Sequence, residues 1–185
     1  MIIGITGTQG AGKGTVVEEL TKKGFTHYSA RECIASKVKE QNLELTRDNF
    51  RITADSLRKQ FGAQYVIEQL YLQAKSNGTD AIIESVRTVG EVEFLRKQPD
   101  FFLISIDADI TLRYNRAIAR KSELDHVSFE EFRRQEETEF SNTESHMMNI
   151  KKCMQLADIQ LTNNGTIRDL QVQLSESLNK STTFQ

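Results

Sequence analysis

The sequence predicts an α/β fold with a five-stranded parallel sheet layered between helices. Three observations carry that expectation. Short apolar runs alternate with helical stretches along the chain, the pattern of right-handed βαβ crossovers. The 185 residues suit one such domain and leave little room for a second. The first apolar run passes directly into a glycine-rich turn, GTQGAGKGT (Gly7–Thr15), and from there into a helix.

MIIGIT is short, apolar and closed by glycine, so it reads as a buried strand. Gly12 to Lys23 has helical composition and ends at Gly24, a natural C-cap. FTHYS is the second strand. Residues 30–78 contain no convincing strand and read as helices over 30–42, 46–61 and 63–78. In the last of these Val66, Leu70 and Ala74 share a face, with Ile67 and Tyr71 beside them. DAIIESV is the third strand, and VGEVEFLRKQ a helix stopped by Pro99, the only proline. FFLISID is the fourth strand. Asp109 is expected to cap the helix ITLRYNRAIARK. Helices follow over 128–140 and 143–156, then the fifth strand ADIQLTN, a final helix over 165–178 and the frayed tail 181–185. Residues 1–180 therefore form one domain, with a helical insertion over 30–78.

The net charge of −2, mixed in sign, lacks the basic field that nucleic acid requires. No apolar run reaches membrane-span length, and Met1 leads straight into the first strand, so a cytoplasmic protein with neither nucleic-acid nor membrane partners is expected. Cys33 and Cys153 lie far apart and read as reduced, partly buried thiols. His27, His126 and His146 show no metal spacing.

The turn after the first strand carries chemistry. Gly7, Gly10, Gly12 and Gly14 can take the positive φ values that gather several backbone N–H groups into a concave nest. The following helix adds unpaired N–H groups and the positive end of its dipole. Lys13 supplies a point charge for terminal phosphates. The turn is nearly G-x-x-x-x-G-K-[ST], but Gly14 follows the lysine and the hydroxyl arrives one place late, at Thr15.

That pattern, G-x-x-G-x-G-K-G-T, resembles the phosphate loop of adenylate kinase and related nucleoside monophosphate kinases, a branch of the P-loop NTPases. The overall likeness is to small archaeal and bacterial nucleotide-kinase-like proteins. The resemblance implies ATP as donor, cradled by Gln9, Gly10, Ala11, Gly12, Lys13, Gly14 and Thr15, with magnesium held through Thr15 and, by way of water, Glu84. In DAIIESVRTVGEVEFLRK, Glu84 matches the acid that orients metal-bound water, and Arg87 the arginine that grips the acceptor phosphate. DADITLRYNRAIAR resembles the segment leading into an arginine-bearing lid, which puts Arg116 and Arg120 in catalytic roles beside Lys13 and the lid at about 120–142. ADIQLTNNGTIRDLQVQL resembles the closing strand and helix, with Asn163 and Gly165 near the donor base. The insertion at 30–78 then corresponds to the acceptor-binding segment. The family's glycine–aspartate and acceptor arginine after the second strand are replaced by Arg31, Glu32 and Ala35, leaving Arg31 or Arg58 to supply the missing charge and Glu32 the missing acid.

Arg113, Arg116 and Arg120 fall at i, i+3 and i+7, so they share a helix face and repel unless an anion lies among them. The run EEFRRQEETE reads as an exposed helix with i,i+4 pairs, Met147 and Met148 as packing residues, and Asp107 as a strand end. A phosphate acceptor needs only positioning and charge neutralisation, whereas a hydroxyl acceptor needs a carboxylate base. The absent Asp-x-Asp after the second strand therefore favours a nucleoside monophosphate acceptor over dephospho-CoA. A non-catalytic nucleotide-binding module and a nucleic-acid-processing ATPase are the rival readings. The expected partners are small nucleotides, the protein being a monomer or homodimer.

Overall fold

A computed structural model describes residues 1–120 and 127–182; part of the expected lid, 121–126, and of the tail, 183–185, lie outside the described residues. In chain order the described elements are β1 (Ile2–Gly7), α1 (Lys13–Lys22), β2 (Thr26–Ser29), α2 (Ala30–Glu40), α3 (Arg47–Phe61), α4 (Tyr65–Asn77), β3 (Ala81–Glu84), α5 (Val89–Arg96), β4 (Phe101–Asp107), α6 (Ile110–Ala119), α7 (Phe129–Phe140), α8 (Ile150–Gln155), β5 (Ile159–Thr162) and α9 (Ile167–Thr182). The strands form one sheet in the order β2-β3-β1-β4-β5, and every pairing is parallel. This is the parallel α/β architecture that the alternation of runs predicts.

Side-chain alternation splits the sheet between two apolar layers. Ile3, Ile5, Ile82, Ile104, Ile106 and Leu161 face α1 and α9, where Val16, Leu20, Leu170 and Leu174 meet them. Ala81, Ile83 and Leu103 face the opposite way, onto Val66, Ile67, Leu70, Val92 and Leu95 of α4 and α5. Strands covered on both faces are apolar at most positions, which is why β1 and β4 read as nearly continuous apolar runs, broken by buried Thr6 and Ser105. Gly4 leaves room for a ring: a Cβ there would lie 2.9 Å from Phe101.

The helix starts are locally encoded. Ser29, Thr46, Ser128 and Asn149 each accept a backbone N–H from the first turn of the helix that follows. Thr88 and Glu91 make a reciprocal capping box at α5. Asp109 caps α6 as expected, accepting from the N–H groups of Thr111 and Leu112. The helix expected over 143–156 is cut to Ile150–Gln155. Asn142 donates to the Met148 carbonyl (2.8 Å) and Asn149 to the Asn142 carbonyl (2.7 Å), so two asparagine amides fold 142–149 into a turn that competes with helix. The final helix runs past its expected end, taking Ser181 and Thr182 from the tail.

β1 lies between β3 and β4, so the chain winds outward from it in both directions. The crevice beyond the carboxyl ends of such strands is where ligands bind in open α/β sheets. Gly7, Ser29, Glu84, Asp107 and Thr162 are the strand ends that border it.

Candidate active site

The phosphate loop leaves β1 at Gly7 and enters α1 at Lys13, and three of its glycines are required by the fold. Gly7, Gly10 and Gly12 have φ of +136°, +77° and +107°. A Cβ at Gly10 would lie 2.4 Å from the Arg113 carbonyl oxygen, and one at Gly12 2.4 Å from Asn163 Nδ2. Gly14 differs: a side chain there would meet nothing within 4 Å. Thr15 N–H donates to the Gly12 carbonyl (3.1 Å), closing the first turn of α1.

Lys13 folds back over its own loop, donating to the Gly7 (3.0 Å) and Thr8 (2.7 Å) carbonyls. Burial, followed by the nearby charge of Arg87, lowers its pKa to about 7, with Arg120 adding to the effect and Glu84 and Glu139 opposing it. The loop is held from behind by residues of the adjoining strand ends. Thr8 Oγ1 donates to Asp107 (2.6 Å), and Asn163 Nδ2 donates to the Ala11 carbonyl (2.8 Å). Arg113 is buried; it donates to the Ala108 (2.8 Å) and Gln9 (3.3 Å) carbonyls and makes a two-pronged pair with Glu136 of α7.

A cavity of about 400 Å³ opens over the loop, lined by Gln9, Gly10, Gly12, Lys13, Gly14 and Thr15. Glu84, Arg87, Arg31, Arg47, Arg120 and Glu139 border its far side. Glu84 Oε2 lies 3.0 Å from His27 Nε2 of β2. Burial pushes the Glu84 carboxyl up, but the His27 hydrogen bond and the charges of Lys13, His27 and Arg87 outweigh it, leaving the pKa below the ordinary value. Next in sequence, Ser85 sits at φ +74°, a left-handed conformation unusual for serine, and its N–H and that of Val86 both donate to the Ile5 carbonyl at 3.0 Å. That kink ends β3.

A second, smaller cavity of about 80 Å³ adjoins the first and shares Arg31, Arg47, Ser85, Arg87 and Glu139 with it. Its walls add Ala30, Ile34, Phe50, Ala54 and Met148, together with Arg51 and Arg58. Arg31 lies over the Phe50 ring at 5.5 Å. Glu139 of α7 is buried and bridges two guanidinium groups, accepting from Arg47 (2.8 Å) and Arg87 (2.7 Å). Burial raises its carboxyl pKa, and the two arginine charges more than reverse this, so it stays below the ordinary value.

The sequence-level assignments divide here. Gln9, Gly10, Gly12, Lys13, Gly14, Thr15, Glu84, Arg87, Arg31 and Arg120 meet around the larger cavity. Ala11 is wholly buried and contributes backbone. Arg116 is corrected from its catalytic placement: it donates to the carbonyls of Asn163 (2.9 Å) and Gly165 (3.5 Å), so it shapes the turn assigned to the donor base and is not among the residues lining the phosphate cavity. Asn163 turns its own amide onto the loop backbone. Arg58 is corrected as well. Its side chain is fully buried and its Nε donates to Glu91 (2.9 Å), so its charge is committed to the fold. Glu91 in turn accepts from the N–H groups of Arg87 (2.7 Å) and Thr88 (3.0 Å), which makes Arg58–Glu91 the support on which Arg87 stands. Glu32 is exposed on the first turn of α2 and lines neither cavity, which removes it as acceptor acid.

Sequence reasoning missed Arg47, Glu136 and Glu139, read Asp107 as a strand end at the edge of the site, and placed Arg113 only on a shared face. The α7 acids were readable in part. Glu136 and Glu139 follow Phe132, a buried residue, at i+4 and i+7, so they lie on the stripe of α7 that faces inward. The expectation of an exposed, self-paired helix holds only for its other face, where Arg134 pairs with Glu131.

Comparison with known proteins fits this geometry. Over 181 residues the chain is 29% identical to a UPF0200 protein of Methanocaldococcus jannaschii, covering 96% of this chain and 89% of that one. The structure of TT1252 from Thermus thermophilus superposes with a TM-score of 0.64 at 20% identity, covering 97% of each chain. Dephospho-CoA kinase from Campylobacter jejuni superposes with a TM-score of 0.52 at 16% identity, covering 97% of this chain and 96% of that one. The chain thus shares the α/β fold of these structures. A family model described as an AAA domain, AAA_18, matches residues 3–139, from β1 through the phosphate loop to Glu139 on α7. The chain belongs to that AAA domain family of P-loop NTPases.

Proposed function

We propose that the protein transfers the terminal phosphoryl group of ATP to a nucleoside monophosphate. The observation that carries this reading is the adjoining pair of cavities: a glycine cradle with Lys13 on one side, and Arg31, Arg47 and Arg87 beside an apolar wall on the other. An acceptor bearing a phosphate monoester dianion suits such a wall, because planar guanidinium forks bind phosphate oxygens in pairs. A hydroxyl acceptor would need a free carboxylate within reach of its proton. Glu32 lies outside both cavities, Glu139 is engaged by Arg47 and Arg87, and Glu84 is hydrogen-bonded to His27 on the magnesium side of the larger cavity.

The donor set suits a magnesium nucleotide. The open space over Gly14 leaves room for phosphates, Lys13 is a part-buried amine whose hydrogen bonds go to carbonyls, and Thr15 and Glu84 offer hard oxygen ligands. Magnesium, when bound, neutralises charge on the terminal phosphates and aligns them. The remaining work belongs to the chain. Loop amides fix the polyphosphate, Lys13 and Arg120 neutralise charge developing on the moving group, Arg87 orients the acceptor, and Arg116 holds the Asn163–Gly165 turn.

The test is incubation of the protein with γ-labelled ATP and a panel of ribo- and deoxynucleoside monophosphates plus dephospho-CoA. Label on a nucleoside monophosphate is the expected result. Label on dephospho-CoA alone makes the acceptor a ribose hydroxyl. Retention of ATP with no labelled acceptor makes the protein a nucleotide-binding module.

A further inference from the structure

Arg87, which the acceptor reading needs, already holds an anion. Glu139 Oε2 accepts from Arg87 Nη1 at 2.7 Å, and Oε1 accepts from Arg47 Nε (3.1 Å) and Nη2 (2.8 Å). The carboxylate comes from α7, the arginines from α3 and from the turn after β3, so three separate elements meet at one buried charge. Glu139 borders both cavities, which puts it on the boundary between the phosphate loop and the arginine wall. Two guanidinium groups converging on a pair of oxygens is the geometry in which proteins bind a phosphate monoester. A carboxylate offers two oxygens and one charge; a phosphate monoester offers three oxygens and two charges. Both anions cannot share the same donors, because like charges at such range repel strongly away from bulk water.

We propose that Arg47 and Arg87 form the anion site for the acceptor's phosphate, and that Glu139 is its resident counter-ion, displaced when the acceptor binds. The identity of the ligand rests on the function proposed above; the exchange of one anion for another does not. The device offsets part of the charge of the two arginines while the site waits, and it sets a threshold: a weak monoanion does not displace the carboxylate, whereas a dianion that engages both arginines does. It also assigns Arg47 to acceptor binding.

The experiment measures the affinity of the full-length protein for inorganic phosphate by calorimetry at fixed ionic strength. The variants are Glu139→Gln and the double variant Glu139→Gln/Arg47→Gln. Removing the resident charge leaves the arginines without their anion, so Glu139→Gln is expected to bind phosphate at least about fivefold more tightly than wild type. The double variant should lose that gain, which separates the arginine site from phosphate held by the glycine loop. Equal or weaker binding in Glu139→Gln, or a gain that survives loss of Arg47, overturns the proposal. If the amide variant does not fold, Glu139→Asp withdraws the carboxylate by one methylene while keeping its charge. Tighter phosphate binding than wild type is expected there too, and unaltered binding overturns the proposal. If turnover is measurable, Glu139→Gln should lower the acceptor's KM. A collapse of kcat at constant KM would instead make Glu139 a proton acceptor and overturn the counter-ion role. Phosphate binding is read without turnover, so an acceptor panel that yields no label removes the kinase reading and leaves this one standing.

Discussion

Nucleotide binding is expected to take up a proton at Lys13. In the free protein, burial and then the charge of Arg87 hold its pKa at about 7 instead of 10.5. A polyphosphate laid against the ammonium reverses the balance and returns the pKa toward the ordinary range. At pH 8 roughly nine in ten free molecules therefore carry a neutral lysine while the complex carries a charged one, so binding consumes ~0.9 proton. Linkage fixes the affinity profile: Kd rises less than about twofold from pH 6 to 7 and about ninefold from pH 8 to 9. For the free fold the sign is the reverse of a salt-bridged lysine. The cost of burying the charged form is fully present below about pH 7 and lifts as pH rises toward 10.5, so this group alone makes the free protein more stable across that window. Calorimetric titration of the magnesium nucleotide at pH 8, in two buffers of different ionisation enthalpy, reads the proton directly. Lys13→Met should abolish the buffer dependence. Identical heats in both buffers for wild type would refute the argument.

Three further outcomes follow from the packing. Arg58→Met leaves the buried Glu91 carboxylate without its counter-charge, so urea titration should show a loss of about 3–5 kcal/mol; a loss below about 1 kcal/mol would mean the pair is not structural. Gly12→Ala drives a Cβ to 2.4 Å from Asn163 and demands φ of +107°, so nucleotide binding should fail, whereas Gly14→Ala enters open space and should leave the melting temperature within a degree or two, on the order expected of a strain-free exposed site. Arg116→Ala should raise the KM for ATP more than it lowers kcat, because it supports the Asn163–Gly165 turn, while Arg120→Ala should act mainly on kcat; steady-state kinetics of the pair decides.

The parts of this fold that are local in sequence were legible there. β1, the loop and α1 declare themselves because glycines, lysine and helix start lie within a few residues of one another. Asp109 was readable as a cap because the cap and the N–H groups it serves are adjacent. The long-range charge pairs were not. Arg58 reads as a candidate acceptor arginine until Glu91, far along the chain, is seen against it. Arg113, Arg116 and Arg120 share a face, yet one clasps Glu136, one clasps backbone carbonyls and one faces the phosphate cavity. Spacing places side chains on a face but says nothing of the anion waiting there. Glu139 is the strongest instance: inside a run of alternating charges it looks solvated, and only its distance from buried Phe132 hints otherwise.

The whole account rests on a nucleotide's phosphates lying in the cup between β1 and α1. A crystal structure with a non-hydrolysable ATP analogue and magnesium tests it most directly. The account predicts phosphate oxygens within hydrogen-bond distance of the 10–15 amides, and Lys13 Nζ moved off the Gly7 and Thr8 carbonyls onto a terminal phosphate. An empty cup with Lys13 still on those carbonyls, or an analogue bound elsewhere, would contradict it.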